Sequence, residues 1–596
     1  MNQIETVIAE DTMGATITPT GVTFRVWAPH ADSVAIKGSF NNWAAESLEP
    51  EQHGNWSIEV QNAKSGDEYK FELSNGENTF DRNDPYAREV TNSIGNSIVC
   101  DPHKFDWGDD DFKMPPWNEL VIYELHVGTF NRDNDDEVGT LDKVTKKLGY
   151  LKWLGINAIE IMPVAEFAGD ISWGYNPAHI FAVESAYGGP EALRRFVKAA
   201  HQHGIAVIMD VVYNHFGPSD LDLWQFDGWS ENNKGGIYFY NDWRSSTPWG
   251  DSRPDYGRGE VRRFIHDNAM MWLDEYRMDG LRYDMTLFIR SVDGSDEKEI
   301  PEGWSLAQWI NRDIREHYPD KITIAEDLRT NNAITQDEEH GGANFSSQWD
   351  EAFVHPIREA VTRAEDQHRD MHAVADAISH RYNLNAFERV VYTESHDEVA
   401  NGKKRVPSEI DENDPDGWFA RRRAALGAAI VFTSAGIPMI FQGQEFIRPD
   451  WFDDANPIDW DEAGEQDKTM RLYRDLIRLR LNKEGHSSGL TGQDTEIFHI
   501  NNKDKVIAYR RRVLGTDVGE VVVIVNMSHR HWDNYRIGFP KAGNWHVRFD
   551  SSSKFYSEDG SEVGIAAVEA VHAPYDWYTH SAGLSIPAYS AIVFSQ

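Results

Sequence analysis

The sequence predicts an α/β protein: a (β/α)8 barrel with an N-terminal β-sandwich and a C-terminal all-β domain. Three observations predict it. Between about residues 120 and 441, eight apolar strand-like runs recur, most of them followed by amphipathic helical stretches, the pattern of βα units around a parallel sheet. On either side of that region, short alternating strands separated by turn residues replace it. A chain of 596 residues with 40% hydrophobic and 12% aromatic residues is also too long for one core and too apolar for disorder.

Taken in order, Val22–Trp27, Ser33–Lys37, Trp56–Val60 and Glu68–Glu72 alternate as half-buried strands do, with Pro29–Asp32 and Gly38–Trp43 supplying turns. They form the expected sandwich, residues 1–108. Asp106–Pro116, charged and ending in two prolines, reads as a linker. The barrel is expected over residues 116–484, on Leu120–Leu125, Ala158–Met162, Ala206–Val212, Gly280–Asp284, Ile322–Ala325, Val390–Tyr392 and Met439–Phe441, with a weaker run at Phe345–Trp349 as the eighth strand. That span exceeds the roughly 250 residues typical of the fold, so it needs an insertion. The Trp-, Gly- and Asn-rich stretch at about 214–258, after the third strand, is the expected one. Strands return at Val506–Tyr509, Glu520–Asn526, Trp545–Phe549 and Ala591–Phe594, in a third domain spanning 485–596.

Composition narrows the partners. The chain has 58 basic and 98 acidic side chains, a net charge of −40. Nucleic acid and anionic membranes are bound through Lys and Arg, so neither is expected as a partner. Most of the charge reads as a solvating surface, an adaptation to salt that tolerance of molar NaCl would test. The single cysteine, Cys100, rules out an internal disulfide and a cysteine-based zinc site and reads as a small buried hydrophobe. The N-terminus lacks the basic and apolar segments of a signal peptide, and the longest purely apolar runs, such as Val521–Val525, are far below the roughly 20 residues of a membrane span, so the expectation is a cytoplasmic protein.

Chemistry in such a barrel sits at the C-terminal ends of the strands. There the third strand ends in Asp210 and runs to His215, the fourth ends in Arg282 and Asp284, the fifth in Glu326 and Asp327, and the seventh runs on to Glu394, His396 and Asp397. A single carboxylate after a strand is most often a helix cap or a loop ion pair. Asp210, His215, Arg282, Asp284, Glu326, His396 and Asp397, converging from four strand ends, are an arrangement that folding alone does not favour, since crowded carboxylates raise one another's pKa. Carboxylates with an arginine and two histidines, without a phosphate loop, suit glycosidic bond chemistry: one carboxylate attacks the anomeric carbon and a second, kept protonated, serves the leaving oxygen. Arg282 projects to the same side as Asp284 and can hold it ionised. His215 and His396, whose spacing fits no zinc motif, can bond sugar hydroxyls. Trp173, Tyr175, Trp224, Trp229, Tyr238, Tyr240, Trp243 and Trp249 crowd the same rim; about half are expected to anchor loops and the rest to face sugar rings.

These strand ends, Asp210–His215, Gly280–Asp284 and Ser395–Asp397, resemble the α-amylase superfamily, glycoside hydrolase family 13, over about Leu120–Leu481. The resemblance implies a retaining double displacement on α-1,4-linked glucan, with Asp284 as nucleophile, Glu326 as general acid/base and Asp397 as the carboxylate that binds and distorts the sugar. Asp210, His215, Arg282 and His396 would line the same subsite, with Tyr175 as the stacking tyrosine. The segments Phe24–Pro29, Gly38–Trp43 and Asp84–Tyr86 are similar to carbohydrate-binding module family 48, which either binds glucan or braces the barrel.

The subfamily motifs divide. Ile324–Asp327, Ser395–Lys404, Glu445–Phe446 and Asn456–Trp460 look like glycogen branching enzymes, whereas Tyr123–Phe130, Tyr213–Pro218 and Thr247–Gly250 resemble maltooligosyltrehalose trehalohydrolases. Asn214 and Met285 depart from the branching pattern. Branching-type transfer is the leading expectation, α-glucan hydrolysis the alternative, and a non-catalytic glucan-binding relative a remote third. No organic cofactor is implied. Many relatives bind Ca2+ near the third-strand insertion, where Asp and Asn residues are available, but no ligand set is matched. The chain is expected to be a monomer or a small homo-oligomer.

Overall fold

The computed structural model describes residues 12–133, 137–516, 518–560 and 566–596. The N-terminal strands β1 (Gly14–Ile17), β2 (Gly21–Trp27), β3 (Ser33–Gly38), β4 (Asn55–Gln61), β5 (Glu68–Asn75) and β6 (Asn78–Arg82) form two antiparallel sheets, β1-β2-β4 and β3-β5-β6, each joined by shorter strands. Alternation along β2 and β5 turns Val22, Phe24, Tyr69, Phe71 and Leu73 into a shared core.

The barrel closes through eight parallel strands: β7 (Ile122–Leu125), β8 (Ala158–Ile161), β11 (Ala206–Val211), β12 (Gly280–Tyr283), β13 (Ile322–Ala325), β14 (Ser347–Trp349), β15 (Arg389–Val391) and β16 (Ile437–Phe441). All eight fall on the runs that the sequence marks, the weak one included. Between β8 and β11 the chain adds an antiparallel pair outside the barrel, β9 (Ala165–Phe167) and β10 (Pro177–Val183), which the periodicity did not reveal. Helices such as α1 (Gly189–Gln202), α2 (Gly259–Asp274), α3 (Pro301–His317), α4 (Glu351–Thr362), α5 (Trp418–Thr433) and α6 (Asp467–Arg480) accompany the strands. Among the described residues no helix is long and apolar enough to cross a membrane.

The C-terminal domain is an eight-stranded antiparallel sheet in the order β17-β18-β19-β24-β21-β22-β23-β20, from β17 (Asp494–Asn501), β18 (Val506–Arg512), β19 (Val521–Asn526), β20 (Trp532–Phe539), β21 (Gly543–Asp550), β22 (Ala567–Tyr575), β23 (Tyr578–Ile586) and β24 (Ser590–Ser595). Four of these, β17, β20, β22 and β23, were not predicted. They carry charged and polar residues on an exposed face, so no apolar run announces them.

The insertion after β11 forms short 3-10 turns over Gly236–Tyr238 and Trp243–Ser245 and docks on the N-terminal domain. Asp227 accepts from the His30 amide at 2.9 Å, and Asp222 from the Asn83 amide at 2.7 Å. Arg82 Nε donates to the Phe226 carbonyl at 3.1 Å, and Trp27 meets Tyr238 edge to face at 5.5 Å. Gly228, at φ +82°, lets this loop approach: a Cβ there would lie 2.8 Å from the Phe80 ring. The linker is likewise tied down, with Asp110 beside His201 and Arg277 and Phe112 stacked on His201. Cys100 departs from the buried reading: it is half-buried, beside Arg194.

Candidate active site

The strand ends meet at a cavity of about 450 Å³ lined by Tyr175, His215, Asp284, Glu326, His396 and Asp397, together with Trp173, Trp249 and Met285. A larger cavity, about 790 Å³, opens at the opposite end of the barrel between Trp117, Phe387 and Gln493, but Asp320 is the one titratable side chain in its lining, so it offers no acid and base pair.

Arg282 organises the floor. It points inward from the middle of β12 and is 0% exposed. One terminal nitrogen, Nη1, donates to both oxygens of Asp210, at 2.8 and 2.7 Å, and reaches Asp284 Oδ1 at 3.3 Å. The other lies 2.7 Å from Glu326 Oε2. Burial pushes Asp284 up to about 6, against the pull of Arg282. Burial pushes Glu326 further, to about 7: Arg282 again opposes, but Asp284 and Asp397 both add to the rise. Two carboxyls on one guanidinium are thereby separated in proton affinity, one suited to ionise and one to hold a proton.

The loops refine this. Asn214 donates to Asp284 Oδ2 at 2.6 Å and to its carbonyl at 2.8 Å, and its own amide oxygen meets His215 Nδ1. His215 is pushed down to about 4 by burial and by Arg253, so it is neutral, and its Nε2 has no partner among the described residues. Trp249 stacks on the same ring at 4.6 Å and 13°. Tyr175 donates to Asp210 Oδ2 at 2.6 Å and stacks on His396 at 5.0 Å. Burial opposes a charge on His396, but Glu124 Oε1, 2.5 Å from Nδ1, pushes it up to about 9, so it is an imidazolium at neutral pH. Asp397, partly exposed, accepts from Asn401 at 3.4 Å.

Met285 follows Asp284 with a left-handed backbone, φ +38°, which a long side chain rarely adopts. That conformation aims its N–H at Glu326 Oε2, 2.9 Å away. The neighbouring Asp327 and Glu394 turn away, onto Arg290 at 2.8 Å and Arg405 at 3.1 Å.

All eight residues singled out from the sequence, Tyr175, Asp210, His215, Arg282, Asp284, Glu326, His396 and Asp397, therefore lie in or directly beneath one cavity. Of the rim aromatics, Trp173, Tyr175 and Trp249 face it, whereas Trp224, Trp229, Tyr238 and Tyr240 pack in the insertion and Trp243 lies outside its lining. Sequence reasoning missed Glu124 and Glu160. Both are buried acids in the middle of apolar strands, and that oddity was the available signal. Among the described residues, no three His, Cys, Asp or Glu side chains are grouped to hold a metal ion.

Comparison with known proteins gives three family matches: "Alpha amylase, catalytic domain" over residues 125–255 and 218–509, "Carbohydrate-binding module 48 (Isoamylase N-terminal domain)" over 12–87, and "Alpha amylase, C-terminal all-beta domain" over 499–596. The 1,4-alpha-glucan branching enzyme GlgB of Salinibacter ruber is 31% identical, over 98% of this chain and 96% of its own length. The malto-oligosyltrehalose trehalohydrolase of Saccharolobus solfataricus is 33% identical over 73% of this chain and 75% of its own. A pullulanase from Anoxybacillus sp. LM18-11, solved with maltotetraose, shares the fold, with a TM-score of 0.77 at 22% identity over 98% of this chain and 87% of that one.

Proposed function

Since the chain belongs to the α-amylase family, an enzyme family acting on α-glucan, we propose that it is a 1,4-α-glucan branching enzyme. The observation that carries this reading is the end-to-end likeness to relatives named as branching enzymes, which spans all three domains. In this reading Asp284 attacks the anomeric carbon of an α-1,4-linked chain while Glu326 gives its proton to the departing oxygen. Contact of both carboxyls with one guanidinium supports a retaining pair, which needs a spacing of about 5–5.5 Å. Glu326 then takes the proton of a glucan 6-hydroxyl, and that oxygen displaces Asp284 to form the α-1,6 branch. Asp397, the imidazolium of His396 and neutral His215 hold the sugar between them, and Tyr175 and Trp249 offer ring faces.

Water in place of the 6-hydroxyl would make the same machinery a hydrolase. The higher identity to the trehalohydrolase, over a shorter span, favours that as the second reading. The two are separated by products. With amylose, branching lowers iodine staining with little new reducing sugar and adds α-1,6 anomeric protons in the NMR spectrum. Reducing ends released without α-1,6 signals, or free trehalose from maltooligosyltrehalose, would overturn it.

A further inference from the structure

We propose a second α-glucan contact on the C-terminal domain, at the tip of the β22–β23 hairpin, with the indole of Trp577 as its stacking platform. The inference rests on the reading that α-glucan is the substrate. Tyr575 pairs with Tyr578 across a two-residue turn, Asp576-Trp577, with φ values of +50° and +66°. Turns of this shape ordinarily place Asn or Asp first and glycine second. Here the second position carries the largest side chain in a left-handed backbone, and that side chain is 99% exposed, so no contact within the domain repays the strain.

The turn is nevertheless held firmly. Asp576 Oδ1 lies 2.9 Å from His499 Nδ1, whose Nε2 meets the Tyr535 hydroxyl at 3.0 Å, and Asp576 Oδ2 accepts from the Gly538 amide at 2.9 Å. Gly538 permits the approach, since a Cβ there would lie 2.5 Å from the Tyr575 carbonyl. Tyr575, 38% exposed and covered on one face by Arg536 at 5.0 Å, stands beside the turn. A solvent-facing indole on a firmly held turn, with Tyr575 two residues before it, in a chain whose −40 charge repels anions, fits a neutral polyhydroxyl chain. The exposed apolar neighbours, Val571 and Tyr575, are too few for a stable protein interface. A polymeric substrate extends far beyond a cavity of about 450 Å³, so a remote contact would keep the chain near the barrel mouth.

The test is retardation of the full chain in native gels containing amylopectin, with Asp284→Asn present throughout so that turnover does not alter the matrix. Trp577→Gly should weaken retardation about fivefold or more, with a Tm no lower than the parent's because glycine suits the turn, and Trp577→Phe should restore part of the affinity. A Trp577→Gly variant retarded like its parent would overturn the proposal, as would one that loses Tm and affinity together. So would sedimentation that shows the parent dimeric and the variant monomeric with unchanged retardation. A parent that amylopectin does not retard would instead refute α-glucan as the substrate, and the choice between transfer and hydrolysis leaves this experiment unaffected.

Discussion

Asn214 holds Asp284 at two points, donating to its carboxylate at 2.6 Å and to its carbonyl at 2.8 Å. One of the two residues read as departing from the branching pattern thus steadies the proposed nucleophile. A hydrogen bond to an ionised group contributes about 1.5–3 kcal/mol, so Asn214→Ala should lower kcat/KM on amylose roughly 10- to 100-fold. The bond favours the ionised form, and its loss should also move the acidic limb of the pH profile to higher pH. A variant with lowered activity and an unmoved acidic limb would show that Asn214 acts on geometry alone.

The proton affinities predict a bell-shaped profile. Asp284 must be ionised, which is lost as pH falls through about 6, and Glu326 must hold a proton, which is lost as pH rises through about 7. The two carboxyls share Arg282, so the limbs belong to the pair. Activity should peak between pH 6 and 7. Glu326→Gln should abolish turnover of amylose yet retain reaction with a maltosyl fluoride, whose leaving group needs no proton, and with that substrate the basic limb should vanish. Persistence of the basic limb in Glu326→Gln would assign it elsewhere.

The parts of this site that were legible in the sequence are those where polarity interrupts an apolar strand at its end. Asp210, Arg282, Asp284 and Glu326 stand out because the residues before them are apolar and buried. Glu124 sits inside β7 rather than after it, so its link to His396 required the fold. Trp249 reaches His215 from a loop with no period to read. The weak strand β14 is weak because Ser347 and Gln348, both 0% exposed, interrupt its apolar run: Ser347 shares the face of Trp349, and Gln348, on the opposite face, donates to the Asn331 carbonyl at 3.0 Å. The β22–β23 hairpin was invisible for another reason: its turn carries tryptophan where a glycine would have announced it.

The His396–Glu124 pair makes stability depend on pH. Burial works against the charge on His396, but Glu124 raises its pKa from 6.5 to about 9. A raised histidine stabilises the fold fully below its unfolded value, and this contribution fades as pH rises through about 9. Glu124→Gln should therefore lower stability by about 3 kcal/mol at pH 6 and by much less at pH 9.5. Thermal unfolding at both values checks this. An equal loss at both would mean that the pair is held by hydrogen bonding without charge.

Arg389 and Asp350, 1% and 0% exposed at the side chain, meet at 3.0 Å, and neither lines the cavity. Arg389 also donates to the carbonyls of Ala377, Ile378 and Ala435, each at 2.9 Å, and so ties the segment before β15 to the one before β16. Asp350 in turn accepts from the Ala352 amide at 3.0 Å, capping α4, and from the Tyr382 hydroxyl at 2.9 Å. Arg389→Met keeps much of the volume but leaves three carbonyls without this donor and a buried carboxylate without its counter-charge, which should destabilise the barrel by about 3–5 kcal/mol. Asp350→Asn added to Arg389→Met removes the stranded charge while keeping an acceptor for the cap, so the double variant should regain part of that loss. Turnover per folded molecule should stay near the parent's in both, because neither residue lines the cavity. Chemical denaturation of the three proteins, followed through barrel tryptophan fluorescence, measures the difference; a single variant less than 1 kcal/mol below the parent would show that the pair does not hold the barrel together.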